Sequence, residues 1–213
     1  GFTELGRVAQ NIPLSNGDSS RWYLDGPVSS PRPGSTWPPS AYARFMQANK
    51  PVLDAARSKL TLPSCAPTQR SFASPVPCYA RFRELGRRFA SEAEYYRARG
   101  QFSKAVNSGL DCMNLGTIVP QRGVVYPYIV GNCIESIGLS EAIPLLPRLS
   151  GPELGQVAAR LEKMRAGRVE ISSVITEEGY FDVAAWQEIL DNVPVWQRPI
   201  ACFLLLQDLG RTG

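Results

Sequence analysis

From about residue 40 onward, apolar side chains recur at steps of three and four, the spacing of a helix that buries one face. The pattern is clearest over 78–100, where Phe82, Leu85, Phe89, Ala93 and Tyr96 fall on one stripe and Gly100 offers a left-handed stop. A second helix is predicted over 101–117, with Phe102, Ala105, Val106, Leu110 and Met113 inward and Gly109 letting a neighbour approach closely. A third is predicted over 124–146, burying Tyr128, Ile129, Cys133, Ile134, Ile137 and Ile143, with Pro127 tolerated in its first turns. Upstream, Ser40 caps a helix over 40–60, and Pro51 either kinks it or opens a second piece. Downstream, Ser150-Gly151-Pro152-Glu153 is a capping box that starts a helix to about residue 166, with Leu154, Val157, Ala158, Leu161 and Met164 on one side. The stretch 168–178 alternates like a strand but has no partner strand nearby, so it too is expected to be helical. Helices over 181–190 and 195–209 complete the chain, the last carrying the apolar run 200–206. Six to eight helices on short loops make an all-α fold of antiparallel hairpins or an irregular bundle.

Residues 1–39 break this pattern. They contain six prolines, which fix φ and remove backbone donors, so the segment reads as an extended Pro-rich arm ahead of a helical domain over 40–213. Trp22, Tyr23 and Trp37 give the arm apolar anchors of the kind that dock on a partner, and Phe203 and Leu204 offer the same at the other end. The arm is therefore expected to lie outside the helical body and to gain order against another chain. A second Pro-rich loop covers 61–77.

The chain has 213 residues and no histidine, which excludes Ser-His-Asp and Cys-His catalysis and histidine metal ligands. No stretch is continuously apolar for the ~18 residues that a membrane span needs. Net charge is +4, with eight Lys/Arg against four Asp/Glu in 1–77 and seven against nine in 148–213, a weaker asymmetry than a nucleic-acid module carries. Arg81, Arg83, Arg87, Arg88, Arg97 and Arg99 crowd one helix, but glutamates are interspersed, and they read as a solvated outer face. Tyr95-Tyr96 and Tyr126-Pro127-Tyr128 read as hairpin packing, and Glu177, Glu178 and Asp182 as ordinary acidic neighbours, not an acid–base pair. No phosphate loop, dinucleotide fingerprint or nucleophile elbow is present, so no catalytic, cofactor or metal residue is assigned and no enzyme is expected.

The five cysteines contain no C-x-x-C. Cys65 and Cys78 flank the second Pro-rich loop, which can double back to the ~4.4–6.8 Å that a bridge requires. A bridge there implies an oxidising compartment; five reduced cysteines in a cytoplasmic protein is the competing reading. Cys112 and Cys133 are expected to miss each other. The chain begins at Gly1, which reads as a mature, processed or trimmed product.

The piece 97–106, RARGQFSKAV, resembles the turn of a tetratricopeptide hairpin, with Gly100, Phe102 and Ala105 in the places of the small residue, aromatic and alanine. More broadly, residues 40–190 resemble a loose group of uncharacterised bacterial α-helical proteins through Asn49-Lys50-Pro51-Val52-Leu53, the loop around Cys65, and Leu149-Ser150-Gly151-Pro152-Glu153-Leu154. Members of that group often carry an N-terminal membrane anchor. The resemblance implies a repeat-like helical fold and an extracytoplasmic place in the bacterial envelope, with membrane attachment only through an anchor that this chain does not contain. The functional expectation is a non-enzymatic helical scaffold or assembly subunit whose partner is another protein or a second copy, without nucleic acid. The alternative is an enzyme or small-molecule binder with a site between helices, which a polar-lined pocket would favour over a long exposed apolar groove.

Overall fold

A computed structural model describes residues 2–11, 39–62, 79–121 and 123–198. Among the described residues, seven α-helices run in the order α1 (Phe2–Gln10), α2 (Pro39–Leu60), α3 (Tyr79–Ala98), α4 (Phe102–Ile118), α5 (Val125–Ala142), α6 (Gly151–Ala166) and α7 (Ile171–Asp191). Short 3-10 helices cover Ile143–Arg148 and Val195–Gln197, and no strand occurs among the described residues. The fold is all-α. Of the stretch with strand-like alternation, residues 168–170 precede α7 and the rest forms its first turns, continuous with the helix expected over 181–190.

The centre is α3, α4 and α5. Helices α3 and α4 form the expected hairpin: Gly100 sits at φ +69, Gln101 N–H donates to the Tyr96 carbonyl at 3.0 Å, and Gly100 N–H to that of Arg97 at 3.0 Å. This is a Schellman stop, and the following chain is aimed straight back along α3. Phe82, Leu85, Phe89 and Ala93 are buried as the spacing predicts; the first three share a cluster with Cys112 and Leu115 of α4, and Ala93 shares another with Ala105, Val106 and Leu110.

The α4–α5 contact rests on glycine. Gly109 faces Gly138 and Gly116 faces Gly131, two antiparallel pairs each seven residues apart along its helix. A Cβ at Gly138 would lie 2.5 Å from the Gly109 carbonyl oxygen, and one at Gly116 would lie 2.6 Å from that of Gly131. The backbones touch, so only glycine fits. Buried Cys112 sits where the three helices meet, its single S–H shared between the Gly86 and Ile134 carbonyl oxygens, each 3.3 Å from Sγ.

This contact corrects the expected orientation of α5. The buried positions are Pro127, Val130, Gly131, Ile134, Gly138 and Ala142. Ile129 and Ile143 are each 52% exposed, and Cys133 is exposed too. Close backbone approach to α4 sets the rotation of α5, so the face with Gly131 and Gly138 turns inward, taking Val130 and Ile134 with it, while Ile129, Cys133 and Ile143 stay out. Cys112 and Cys133 are both free thiols, as expected.

Helix α2 is continuous across Pro51. Proline cannot donate to the preceding turn, and nearby polar contacts tie that turn down: Asn49 donates its side chain to the Phe45 carbonyl at 2.9 Å, and Lys50 pairs with Asp54 at 2.6 Å. Phe45, Leu53, Ala56 and Leu60 are its buried residues of largest consequence.

The start of the chain is the second correction. Residues 2–10 are not part of an extended arm but helix α1, with Phe2, Leu5 and Ala9 buried in the same core cluster as α2 and α3. Their spacing of three and four is helical, and the prolines all lie further along, from Pro13. Residues 12–38 fall outside the described residues.

Helices α6 and α7 lie at the periphery. The capping box of α6 forms as read, with Ser150 N–H donating to Glu153 Oε2 at 2.8 Å. These bonds hold the Glu153 carboxyl below its ordinary value. Of the expected stripe on α6, Val157 and Met164 are buried, while Leu154 and Leu161 stay exposed.

Candidate functional site

The residues that the sequence singles out for partner binding, Trp22, Tyr23, Trp37, Phe203 and Leu204, lie outside the described residues, as do Cys65 and Cys78. Two other features of the described chain carry chemistry. One is a buried polar junction, the other an uncharged outer surface.

The junction ties four helices together. Arg57 of α2 donates Nε to Asp111 Oδ2 of α4 at 2.6 Å, and its Nη2 pairs with Glu92 of α3. Ser108 of α4 donates to the same Glu92 oxygen at 2.8 Å. From α6, Arg160 donates to Asp111 Oδ1 at 2.6 Å and to Asn107 at 3.1 Å. The Arg57 guanidinium also lies 5.3 Å from the Phe89 ring centroid. Burial works against the charge on Arg57, but its bonds to Glu92 and Asp111 outweigh that and raise its pKa. Arg57 also pairs with Asp54 at 3.1 Å, and Asp54 with Lys50 at 2.6 Å, so three cations face three carboxylates and the junction offers no net charge to a ligand. Its chemistry is that of a clamp: Glu92 is buried, so removing Arg57 would leave its carboxylate without a compensating charge.

A second polar layer corrects the reading of the arginine-rich helix. Arg88 is 2% exposed, bonded to Asn49 of α2 and paired with Glu84 at 3.3 Å. Burial lowers the Arg88 pKa and raises that of Glu84, each against the pull of the other. Glu92 is fully buried as well. Charged side chains on α3 thus point inward because α2 supplies their partners, which a one-helix pattern does not reveal. Arg97 and Arg99 are exposed as expected, and Arg99 stacks 4.4 Å from the Tyr95 ring centroid. Tyr95 and Tyr96 pack edge to face at 5.3 Å. Glu178, taken as an ordinary surface acid, accepts the Val125 N–H at 2.7 Å and joins α7 to the start of α5.

The outer surface runs along α5. Val125, Tyr126, Ile129, Cys133, Ser136, Leu139, Ser140 and Ile143 are exposed, and none is charged. That face is about 27 Å long at 1.5 Å per residue. The two acids of α5 lie off it: Glu135 binds Arg168 at 2.7 Å, and Glu141 has one carboxylate oxygen buried without a hydrogen bond. Burial raises the pKa of both. On α7, Ile171, Ile175, Tyr180 and Val183 are also exposed. The sequence held the signal for this surface in the glycines of the opposite face, which fix which side of α5 must be buried. By length and composition alone the segment Val125–Arg148 could cross a membrane; one face of it is core. Among the described residues, no group of three or more His, Cys, Asp or Glu is placed to hold a metal ion.

No family model, curated protein or solved structure matches this chain.

Proposed function

We propose that the protein is a helical scaffold or assembly subunit, built of tetratricopeptide-like hairpins, that works by protein–protein contact. The observation that carries this reading is the uncharged outer face of α5. A surface of about 27 Å with Tyr126, Ile129, Leu139 and Ile143 exposed and no Lys, Arg, Asp or Glu has the composition of an interface centre, where charged residues are depleted and aromatics enriched. On α7, Ile171, Ile175, Tyr180 and Val183 are exposed as well. The bacterial envelope is the proposed location; it rests on the resemblance of residues 40–190, and a Cys65–Cys78 linked peptide in a non-reduced digest is the test of its oxidising character.

The scaffold reading is tested by light scattering on the purified chain. The expected mass is a multiple of 23.4 kDa. It should fall to the monomer mass in the double variant Ile129→Glu, Ile143→Glu, with the helical dichroism unchanged because both side chains are exposed. A wild-type mass of one chain across the micromolar range would overturn self-assembly through this face.

A further inference from the structure

Helix α1 is bound to the body as a ligand is bound. Its nine residues are too few for a helix to persist alone in water, so its form depends on the groove that it occupies. Phe2, Leu5 and Ala9 enter that groove at i, i+3 and i+7, the anchor spacing of helix-in-groove recognition. Leu53, Ala56 and Leu60 of α2 belong to the same buried cluster on one side, and Tyr79 and Phe82 of α3 on the other. The Phe2 ring lies 5.1 Å from Phe82 and 6.4 Å from Tyr79, and Arg81 donates to the Gln10 carbonyl at 3.1 Å. Gly6 brings the helix close to Phe82, where a Cβ would lie 3.9 Å from the ring edge.

The connection is the longest between the described helices; the next longest, between α2 and α3, covers residues 61–78, and the others are short. Between α3 and α4 lie residues 99–101, and between α6 and α7 residues 167–170. Between Asn11 and the start of α2 at Pro39 lie the 27 residues 12–38. Connections in compact domains are usually of 2–8 residues, and longer ones serve function or act as linkers. Twenty-eight peptide steps reach at most about 95 Å, several times what is needed to seat a helix against α2 itself. Length alone therefore does not tie α1 to the groove of its own chain.

We infer that the α2–α3 groove is an acceptor site for the α1 helix of a second copy, and that assembled chains exchange α1. Each copy carries the same donor and the same acceptor, so an exchanged helix makes the contacts seen here and loses none of them. What decides between own and neighbouring groove is effective concentration, which a second copy held at the α5 face raises. The inference rests on the reading of the chain as an assembly subunit. It adds to that reading the partner, a second copy, and the contact, Phe2, Leu5 and Ala9 in the α2–α3 groove.

The test uses the full chain with photo-leucine, a near-isosteric diazirine, at position 5. Equal amounts of nitrogen-14 and nitrogen-15 protein are mixed, equilibrated and irradiated, and cross-links from α1 to the peptides containing Phe82 or Ala56 are read by mass spectrometry. Expected is that about half of these cross-links join a light α1 to a heavy groove or the reverse, the statistical share for full exchange in a dimer. The hybrid share should fall at least tenfold in the Ile129→Glu, Ile143→Glu variant, which keeps α1 and the groove. Cross-links within one isotope only would overturn the inference. If the mixture is then still multimeric by light scattering, exchange alone has failed; if it is monomeric, the assembly reading has failed with it. A Leu5→Asp chain, mixed with the wild type, should act as acceptor but not donor, and labelled wild-type α1 should be found in its groove.

Discussion

The α4–α5 contact and the α6–α7 periphery are built from the same residue types to opposite effect. In α4 and α5, glycines lie at the contact and bring two backbones together, with Cys112, Leu115 and Ile134 fully buried beside them. In α6 and α7, glycines 155 and 179 face open space, with nothing within 4 Å of where a Cβ would stand. The centre is specified by close packing, where every methyl group is felt. The periphery is held by a few longer-range ties: Arg160 to Asp111, Arg168 to Glu135, and Glu178 to the Val125 N–H. Of the two helices only α6 has a side-chain cap, and both leave apolar side chains exposed.

The largest expected effect is at the centre of the α3–α4 hairpin. Phe89 is fully buried and lies beneath the Arg57 guanidinium. Phe89→Ala should lower the free energy of unfolding by ~3–5 kcal/mol through cavity formation and lost contact, measured by denaturant titration. A loss below about 1 kcal/mol would mean that the hairpin is not packed as described. Next is Gly138→Ala. The new methyl would meet the Gly109 carbonyl oxygen at 2.5 Å and Met113 Cγ at 2.7 Å, so α4 and α5 must part. A loss of ~1–3 kcal/mol is expected from this overpacking. Hydrogen exchange sharpens the comparison: amides of α4 and α5 should exchange faster, while those of α6 and α7, which open without the core, should not change. Uniform acceleration across all helices would show a single cooperative unit and erase the distinction between the two regions.

The legible part of the fold was the part governed by apolar side chains on one helix at a time. The stripe from Phe82 to Ala93, the stop at Gly100 and the capping box at Ser150 each follow from a few neighbouring residues, and all three occur where expected. Gly109 was also legible as a point of close approach. The orientation of α5 was not, because Ile129, Cys133 and Ile143 look like core when size is the criterion. Only the pairing of Gly131 and Gly138 with glycines on another helix reverses the choice. Arg88 and Glu92 were missed for the same reason, since Asn49 and Arg57, which bond to them, lie far away in sequence. Helix α1 was hidden by the six prolines of residues 1–39, although its own Phe2, Leu5 and Ala9 carry the helical period. Of the candidate interface, the anchors read from the sequence fall outside the described residues, and the α5 face emerges only once its opposite face is known to be buried.

The smallest expected effect reverses the sign of the Gly138 substitution. Gly179 lies in the middle of α7, between the exposed Ile175 and Val183, and its φ is ordinary for a helix. Glycine there costs backbone entropy that alanine does not, by about 0.5–1 kcal/mol in a helix interior. The added methyl meets nothing, so no packing term opposes the gain. Gly179→Ala should therefore raise the free energy of unfolding by about that amount, partly by restricting the unfolded chain, with the helical dichroism unchanged. The same one-carbon change thus stabilises α7 and destabilises α5. A loss of stability at Gly179 would mean that α7 is packed as tightly as the centre, with a neighbour against its outer side even in the isolated chain. A gain in stability together with a smaller assembled mass would instead place a close contact between copies at this glycine, because a methyl group that is free in the monomer would then be resisted only in the assembly.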